Sequence, residues 1–124
     1  MLNCSLSRIV SLITFTFFTT TIAYANLMTK QELDLVVKED IAAAQVLNEI
    51  CPQFVSDTRK INAQVSRFTA ETLKDLSNPL MTLEQLKNDP EYKNAYKEAL
   101  AENAALSKEE HKKGCETLLE SDVV

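Results

Sequence analysis

The stretch LDLVVKEDIAAAQVLNEIC, residues 33–51, decides the fold of this chain. Its apolar side chains recur at steps of four and three residues, at Leu33, Val37, Ile41, Ala44, Leu47 and Cys51. That spacing places them on one face of an α-helix. A capping box, Thr29-x-x-Glu32, precedes the stretch, and Pro52 disfavours helical geometry at Cys51. The sequence therefore predicts an amphipathic first helix of about 20 residues that ends or kinks at Cys51.

A second helix is predicted over residues 53–76, directly after Pro52. Its apolar face follows heptad-like steps, at Phe54, Thr58, Ile61, Val65, Phe68 and Thr72. Proline fits the first turn of a helix, and Ser77-Asn78-Pro79 provides a clear stop. We therefore expect a helix that packs against the first one.

Two more helix starts follow in the second half of the chain. Thr82-x-x-Gln85 is a capping box and predicts a short connecting helix within 80–88. Asp89-Pro90-Glu91 supplies a cap, a first-turn proline and a favourable charge. The last helix is predicted to run from there to about residue 120, either unbroken or restarting at Ser107-x-x-Glu110.

The composition favours an all-α fold. One glycine in 124 residues argues against Gly-rich phosphate loops, dinucleotide-binding turns and tight β-hairpins. Three long amphipathic helices and one short connecting helix predict a small antiparallel bundle with one disulfide. Residues 26–124 are expected to form this single helical domain.

Residues 1–25 have the pattern of a secretory signal peptide. Arg8 precedes an apolar run, and Ala23-Tyr24-Ala25 is a small-x-small cleavage site. A permanent membrane anchor is the alternative, but the apolar run is short and threonines interrupt it. We expect cleavage after Ala25, a periplasmic or secreted protein, and no stable membrane insertion after cleavage; Cys4 would leave with the leader.

Two cysteines, Cys51 and Cys115, remain after cleavage. In an exported protein an even pair most simply forms a disulfide. It would close a loop of roughly 65 residues and contribute about 4 kcal/mol in the chain-entropy model. Free thiols or a two-cysteine metal site are the alternatives, and neither has supporting ligands nearby.

Charge and residue types argue against several function classes. The net charge is −5, one unit more negative without Arg8, so binding to nucleic acid is not expected. His111 is the one histidine, and its surroundings indicate a solvated helix rather than a metal site shared with Cys115. A haem held by Met28 and His111 is a weaker alternative. We therefore expect no catalytic residue, no metal site and no cofactor.

Tyr92 and Tyr96 lie one helical turn apart on the last helix. They are candidate partner contacts, because tyrosine is frequent at interaction hot spots. The interpretation favoured by the sequence is that they fill the core of a chain that has few aromatic residues.

Several segments resemble one family of proteins. They are Lys38-Glu39-Asp40-Ile41-Ala42, Leu47-Asn48-Glu49-Ile50-Cys51-Pro52, the run from Leu83 through Asp89-Pro90-Glu91 to Tyr92, and the late Cys115. The chain is similar in these segments to a family of short, exported, uncharacterised helical proteins of Gram-negative bacteria. The resemblance implies a periplasmic address and a cystine-linked helical fold, and it implies no catalytic residues.

The leading expectation is a non-catalytic protein-binding accessory with an unknown protein partner. It would act as an inhibitor or immunity protein, or in a stress response. One alternative is a structural protein that pairs with a second copy through the heptad-like face of the second helix. Another is a small hydrolase with an unrecognised site, for which replacement of His111 is the test.

Overall fold

The computed structural model describes residues 28–121, and within them it contains helices and loops but no strand. The five helices of this part of the chain are α1 (Lys30–Ile50), α2 (Thr58–Leu73), α3 (Leu83–Leu86), α4 (Pro90–Ala104) and α5 (Lys108–Glu120). A 3₁₀ turn, Cys51–Gln53, follows α1. The predicted all-helical class is therefore confirmed for the described residues. The predicted signal peptide, 1–25, lies outside them.

Three of the predicted helix starts are present with their caps. The Thr82 hydroxyl accepts a hydrogen bond from the Gln85 amide at 3.2 Å, and the Gln85 side-chain oxygen accepts one from the Thr82 amide at 3.0 Å. The Asp89 carboxylate accepts from the Tyr92 amide at 3.0 Å, with Pro90 in the first turn. Because each cap satisfies amides that the first helical turn leaves free, the local sequence fixes where α3 and α4 begin.

The second helix, predicted over roughly 53–76, begins later than predicted and ends close to the predicted bound. The helix begins at Thr58, because the side chain of Asp57 accepts a hydrogen bond from the Lys60 amide at 3.1 Å and caps it there. Pro52 lies instead in the 3₁₀ turn. At the other end α2 stops at Leu73, three residues before the predicted end.

The structure replaces the predicted last helix with two helices, α4 and α5. Ser107 has extended backbone, and its hydroxyl accepts a hydrogen bond from the Glu110 amide at 3.2 Å. The Glu110 carboxylate in turn accepts from the Ser107 amide at 2.7 Å. This capping box starts a new helix, so five helices take the place of the predicted three long ones and one short one.

Two polar contacts connect α1 to α2 and to the loop that follows α2. One lies near the start of α1, and the other lies in the second half of α1. The Asp34 carboxylate accepts from the amide and hydroxyl of Ser77, at 2.8 and 3.0 Å. Further along α1, the Gln45 amide group donates to the Thr69 hydroxyl at 3.0 Å. Rising residue numbers in α1 therefore meet falling numbers in α2, so the two helices run in opposite directions.

The core consists of two clusters of buried side chains. The first cluster holds Ile41, Ala42, Leu76, Leu86, Tyr92 and Ala95. The second cluster holds Cys51, Ile61, Val65 and Cys115. The middle of α1 thus packs against α3 and α4, and its end, with the 3₁₀ turn that follows, packs against α2 and α5. None of the helices within 28–121 has the length and apolar character needed to cross a membrane.

Candidate functional site

A disulfide joins the end of α1 to α5 at the centre of the second core cluster. The sulfur atoms of Cys51 and Cys115 lie 2.09 Å apart, and the Cα atoms lie 5.5 Å apart. Both side chains are buried, together with Ile61 and Val65 of α2. The predicted disulfide is present, and it fixes three helices at one point.

An apolar groove lies beside this disulfide, between α1, α2 and α5. Its volume is 320 Å³. The residues that line it are Asp40, Ala43, Ala44, Leu47, Val65, Phe68 and Leu118. Asp40 is the one charged residue of the lining, and among residues 28–121 it has no hydrogen-bond or ion-pair partner for its side chain. We call this feature the α1–α5 groove.

The apolar face of the groove continues towards the start of α1. Leu33 and Val36 are 47% and 41% exposed. Helical spacing puts both on the side of α1 that carries Asp40 and Ala43. A long stripe of α1 therefore presents apolar side chains to solvent. The sequence pattern detected an apolar face here, but it could not separate the buried part from this exposed part.

A second depression lies between α1 and α4, and we call it the tyrosine–lysine cleft. Its volume is 430 Å³. It is lined by Gln45, Glu49, Lys87, Tyr92, Lys93, Tyr96 and Lys97. The two candidate partner-contact tyrosines therefore come together here, and three lysines that the sequence analysis did not single out join them. Lys93 and Lys97 are four residues apart, as Tyr92 and Tyr96 are, and this spacing in the sequence already places the two lysines on one face of α4.

The two tyrosines have different environments. Tyr92 is 4% exposed and belongs to the first core cluster, as the core-filling alternative expects. Tyr96 is only partly buried, and its ring centroid lies 6.2 Å from that of Tyr92. Tyr96 is thus the tyrosine with surface to offer to a ligand.

The Tyr96 hydroxyl is held as a neutral donor. Burial raises the pKa of Tyr96 to about 12, and the neighbouring Glu49 carboxylate acts in the same direction. Burial also raises the pKa of Tyr92, and the negative charge of Glu49 adds to that effect. Both phenols therefore stay protonated at neutral pH, and Tyr96 of α4 lies beside Glu49 of α1 in the lining of the cleft.

A buried lysine forms a second link between these two helices. The Lys38 ammonium lies 3.2 Å from Asp89 and 2.6 Å from Glu91. Burial acts to lower the pKa of Lys38, but the two carboxylates outweigh it and the pKa is raised. Burial acts to raise the pKa of Asp89, but hydrogen bonds from the Tyr92 amide and Lys38 leave that pKa lowered. No local pattern in the sequence relates Lys38 to these two carboxylates.

His111 does not lie on a freely solvated helix face, as the sequence analysis expected. Its ring stacks on Phe54, with centroids 5.0 Å apart and an angle of 17° between planes. Phe54 packs against the second core cluster, and the contact with Phe54 leaves the imidazole partly buried. Cys115, which was considered as a second metal ligand and assigned instead to the disulfide, is in the disulfide. Met28, the second haem ligand considered, is exposed. Within 28–121 no three His, Cys, Asp or Glu side chains are grouped to hold a metal ion.

Comparison with known proteins identifies one family. The model of a family described as a domain of unknown function (DUF7944) matches residues 37–118. This range contains both disulfide cysteines and the linings of the α1–α5 groove and the tyrosine–lysine cleft. No curated protein and no solved structure matches the chain.

Proposed function

This chain belongs to the DUF7944 family, and from that premise we propose that it is an exported, periplasmic protein of Gram-negative bacteria that acts by binding another protein. The leader-like pattern of residues 1–25 and the cystine support the export part of the proposal. The α1–α5 groove supports the binding part, because exposed apolar surface beside a rigid core is typical of interaction sites. The proposed role is non-catalytic, that of an inhibitor, an immunity protein or a stress accessory.

The chemistry of the α1–α5 groove indicates the kind of partner. Its walls are apolar, and Asp40 places one unpaired carboxylate at the rim. An amphipathic helix fits such a groove when apolar side chains fill it and one lysine or arginine reaches Asp40. We therefore propose a partner protein that presents a helix of this type.

A second copy of the chain fits the same groove less well. A two-fold dimer through this face would bring the two Asp40 carboxylates towards each other, which costs free energy. The heptad-like face of α2, proposed above for self-pairing, has Ile61 and Val65 buried in the chain's own core. These side chains are not free to form a coiled coil with another copy.

Crosslinking from inside the groove tests the proposed partner. A photo-reactive residue replaces Ala43, which lines the groove, or Ala101, which is exposed on α4 outside the groove. Irradiation of living cells is expected to trap one protein from position 43 and not from position 101. Mass spectrometry of the crosslinked peptide is expected to identify a segment whose sequence predicts an amphipathic helix with a basic residue.

An affinity measurement with the trapped protein completes the test. Ala43→Arg puts a large side chain and a positive charge where the partner's own would lie, so binding is expected to weaken at least about ten-fold. Ala101→Arg makes the same charge change elsewhere and is expected to leave affinity unchanged. Crosslinks only to copies of this chain, equal crosslinks from both positions, or none at all would each overturn the proposed partner.

The export part of the proposal has its own test. Protein isolated from fractionated cells is expected to begin at Asn26 and to lie in the periplasmic fraction, as intact-mass measurement would show. A chain that keeps Met1 and stays in the cytoplasm would contradict export. That result would not decide the proposal for the groove, which the crosslinking experiment tests separately.

A further inference from the structure

We propose that the tyrosine–lysine cleft binds a small organic acid, with the anionic group of the ligand at Lys93 and Lys97 and its apolar body against Tyr96. This site lies between α1 and α4. It shares no lining residue with the α1–α5 groove, so the two proposals stand or fall separately.

The charges of the cleft favour an anion. Lys87 is paired with Glu84 at 3.1 Å. Lys93 and Lys97 have no ion pair or side-chain hydrogen bond with any residue of 28–121. Two unpaired ammonium groups one helical turn apart stand out on a chain whose net charge is −5. Their separation lets both contact one carboxylate.

The opposite wall of the cleft limits the charge that the ligand can carry. The carboxylate side chain of Glu49 on α1 lines this wall, close enough to Tyr96 to raise the pKa of that phenol. A ligand with several negative charges would be repelled by this carboxylate. A single carboxylate avoids it by lying on the lysine side of α4, since the lysines follow the tyrosines by one residue and so lie about 100° further round the helix.

The tyrosines supply the surface for an apolar body. The partly buried Tyr96 ring packs beside the buried Tyr92 ring, with centroids 6.2 Å apart, and this contact restricts its motion. Such a fixed aromatic wall binds an apolar group at little cost in side-chain entropy. The volume of 430 Å³ is within the range of about 300–1,000 Å³ typical of small-molecule sites.

Tyrosine fluorescence reports on this cleft selectively. The chain has no tryptophan, and two of its three tyrosines, Tyr92 and Tyr96, line the cleft. Tyr24→Phe removes the third, so that the signal is the same whether or not residues 1–25 remain. The probe is octanoate. Octanamide, which has the same chain length without charge, and acetate, which has the charge without the apolar body, are the matched ligands.

Octanoate is expected to change the tyrosine fluorescence in a saturable way, and octanamide and acetate are expected to bind at least ten-fold more weakly. The double variant Lys93→Gln/Lys97→Gln is expected to lose at least ten-fold in octanoate affinity. Lys108→Gln/Lys113→Gln removes the same charge from α5 and is expected to keep full affinity. All four lysines are exposed, and circular dichroism checks that both variants remain helical.

Three results would overturn the inference. They are no saturable signal with octanoate, equal binding of octanoate and octanamide, and equal loss of affinity in the two double variants. The first would exclude this ligand class. The second would exclude recognition of the anion, and the third would show that only the overall charge of the protein matters.

Discussion

Lys38 is the residue on which the contact between α1 and the start of α4 most depends. Lys38→Met keeps much of the side-chain volume but leaves Asp89 and Glu91 without their cation. We expect the free energy of unfolding to fall by about 1–3 kcal/mol, since a partly buried carboxylate loses a charged partner. Urea denaturation measures the change.

Lys74→Met is the matched control for that variant. Lys74 pairs with Glu71 at 2.9 Å on an exposed surface. Such pairs contribute less than about 1 kcal/mol, so this variant should be nearly as stable as the parent. Equal losses in the two variants would contradict the importance given to the Lys38 cluster.

The same cluster predicts how stability depends on pH. The pKa of Asp89 is lowered in the folded chain, so its contribution exists above its ordinary value of 3.8 and is lost as the pH falls below it. The pKa of Lys38 is raised, so its contribution exists below 10.5 and is lost as the pH rises beyond that value. In Lys38→Met the loss of stability at alkaline pH should shrink, and the loss at acid pH should keep only the part due to the backbone amides of Tyr92 and Glu91. Identical pH profiles of the unfolding free energy would contradict this assignment.

Contacts between individual residues were predictable only where the sequence offers few possible partners. Of the three cysteines, Cys4 lies in the predicted leader, so the other two leave one simple pairing, and Cys51 and Cys115 form it. Lys38 has many acidic residues to choose from, and its partners lie 51 and 53 positions away. Only the packing of α1 on α4 selects them.

At the scale of the elements, Ser107 decides that α4 and α5 are separate helices. Ser107→Ala removes the hydroxyl that caps the Glu110 amide. We expect a loss of about 1 kcal/mol, with faster amide hydrogen exchange in the first turn of α5. Hydrogen-exchange mass spectrometry over residues 104–112 measures the local part of the effect.

Ser66→Ala gives the opposite expectation for the same substitution. Ser66 is exposed within α2, where alanine is the better helix former, so stability should stay level or rise slightly. Faster exchange at α5 in Ser66→Ala, or unchanged exchange there in Ser107→Ala, would show that the Ser107 cap is not what starts the helix.

Helix starts were predictable where the capping side chain and its partner lie within one turn. Thr82, Asp89 and Ser107 are of this kind, although the restart at Ser107 was only one of two alternatives. The start of α2 was misplaced because Pro52 suits a first helical turn in general. In this chain Pro52 continues α1 into a 3₁₀ turn, and Asp57 caps α2 instead.

At the scale of the whole molecule, the disulfide ties together segments that are 64 positions apart. Cys51→Ser, Cys115→Ser and the double variant should each lower the free energy of unfolding by about 2–4 kcal/mol, because any of them opens the same loop. Chemical denaturation measures all three, and reductant should destabilise the parent by a similar amount. A double variant that loses twice as much as either single variant would indicate that the thiols act separately.

The linings of the two candidate sites could not be predicted from the sequence, because their residues come from helices that meet only in the folded molecule. The groove needs Ala43 of α1, Phe68 of α2 and Leu118 of α5 together, and no local pattern relates these residues. The cleft shows the same limit, since Glu49 meets Tyr96 only after α1 and α4 pack. Tyr92 and Tyr96 were recognisable as a pair on one helix face, but the wall opposite them was not.

The position of the cystine at the junction of α1, α2 and α5 has a consequence for the timing of assembly, if the chain is exported as proposed. Before it leaves the reducing cytosol the polypeptide lacks this crosslink, and its fold is correspondingly weaker. A weakly held chain is easier to thread through a translocation channel. Oxidation after export would then stabilise the packing of the three helices. The binding surface would therefore be fully formed only outside the cytosol, and it would not bind partners before export.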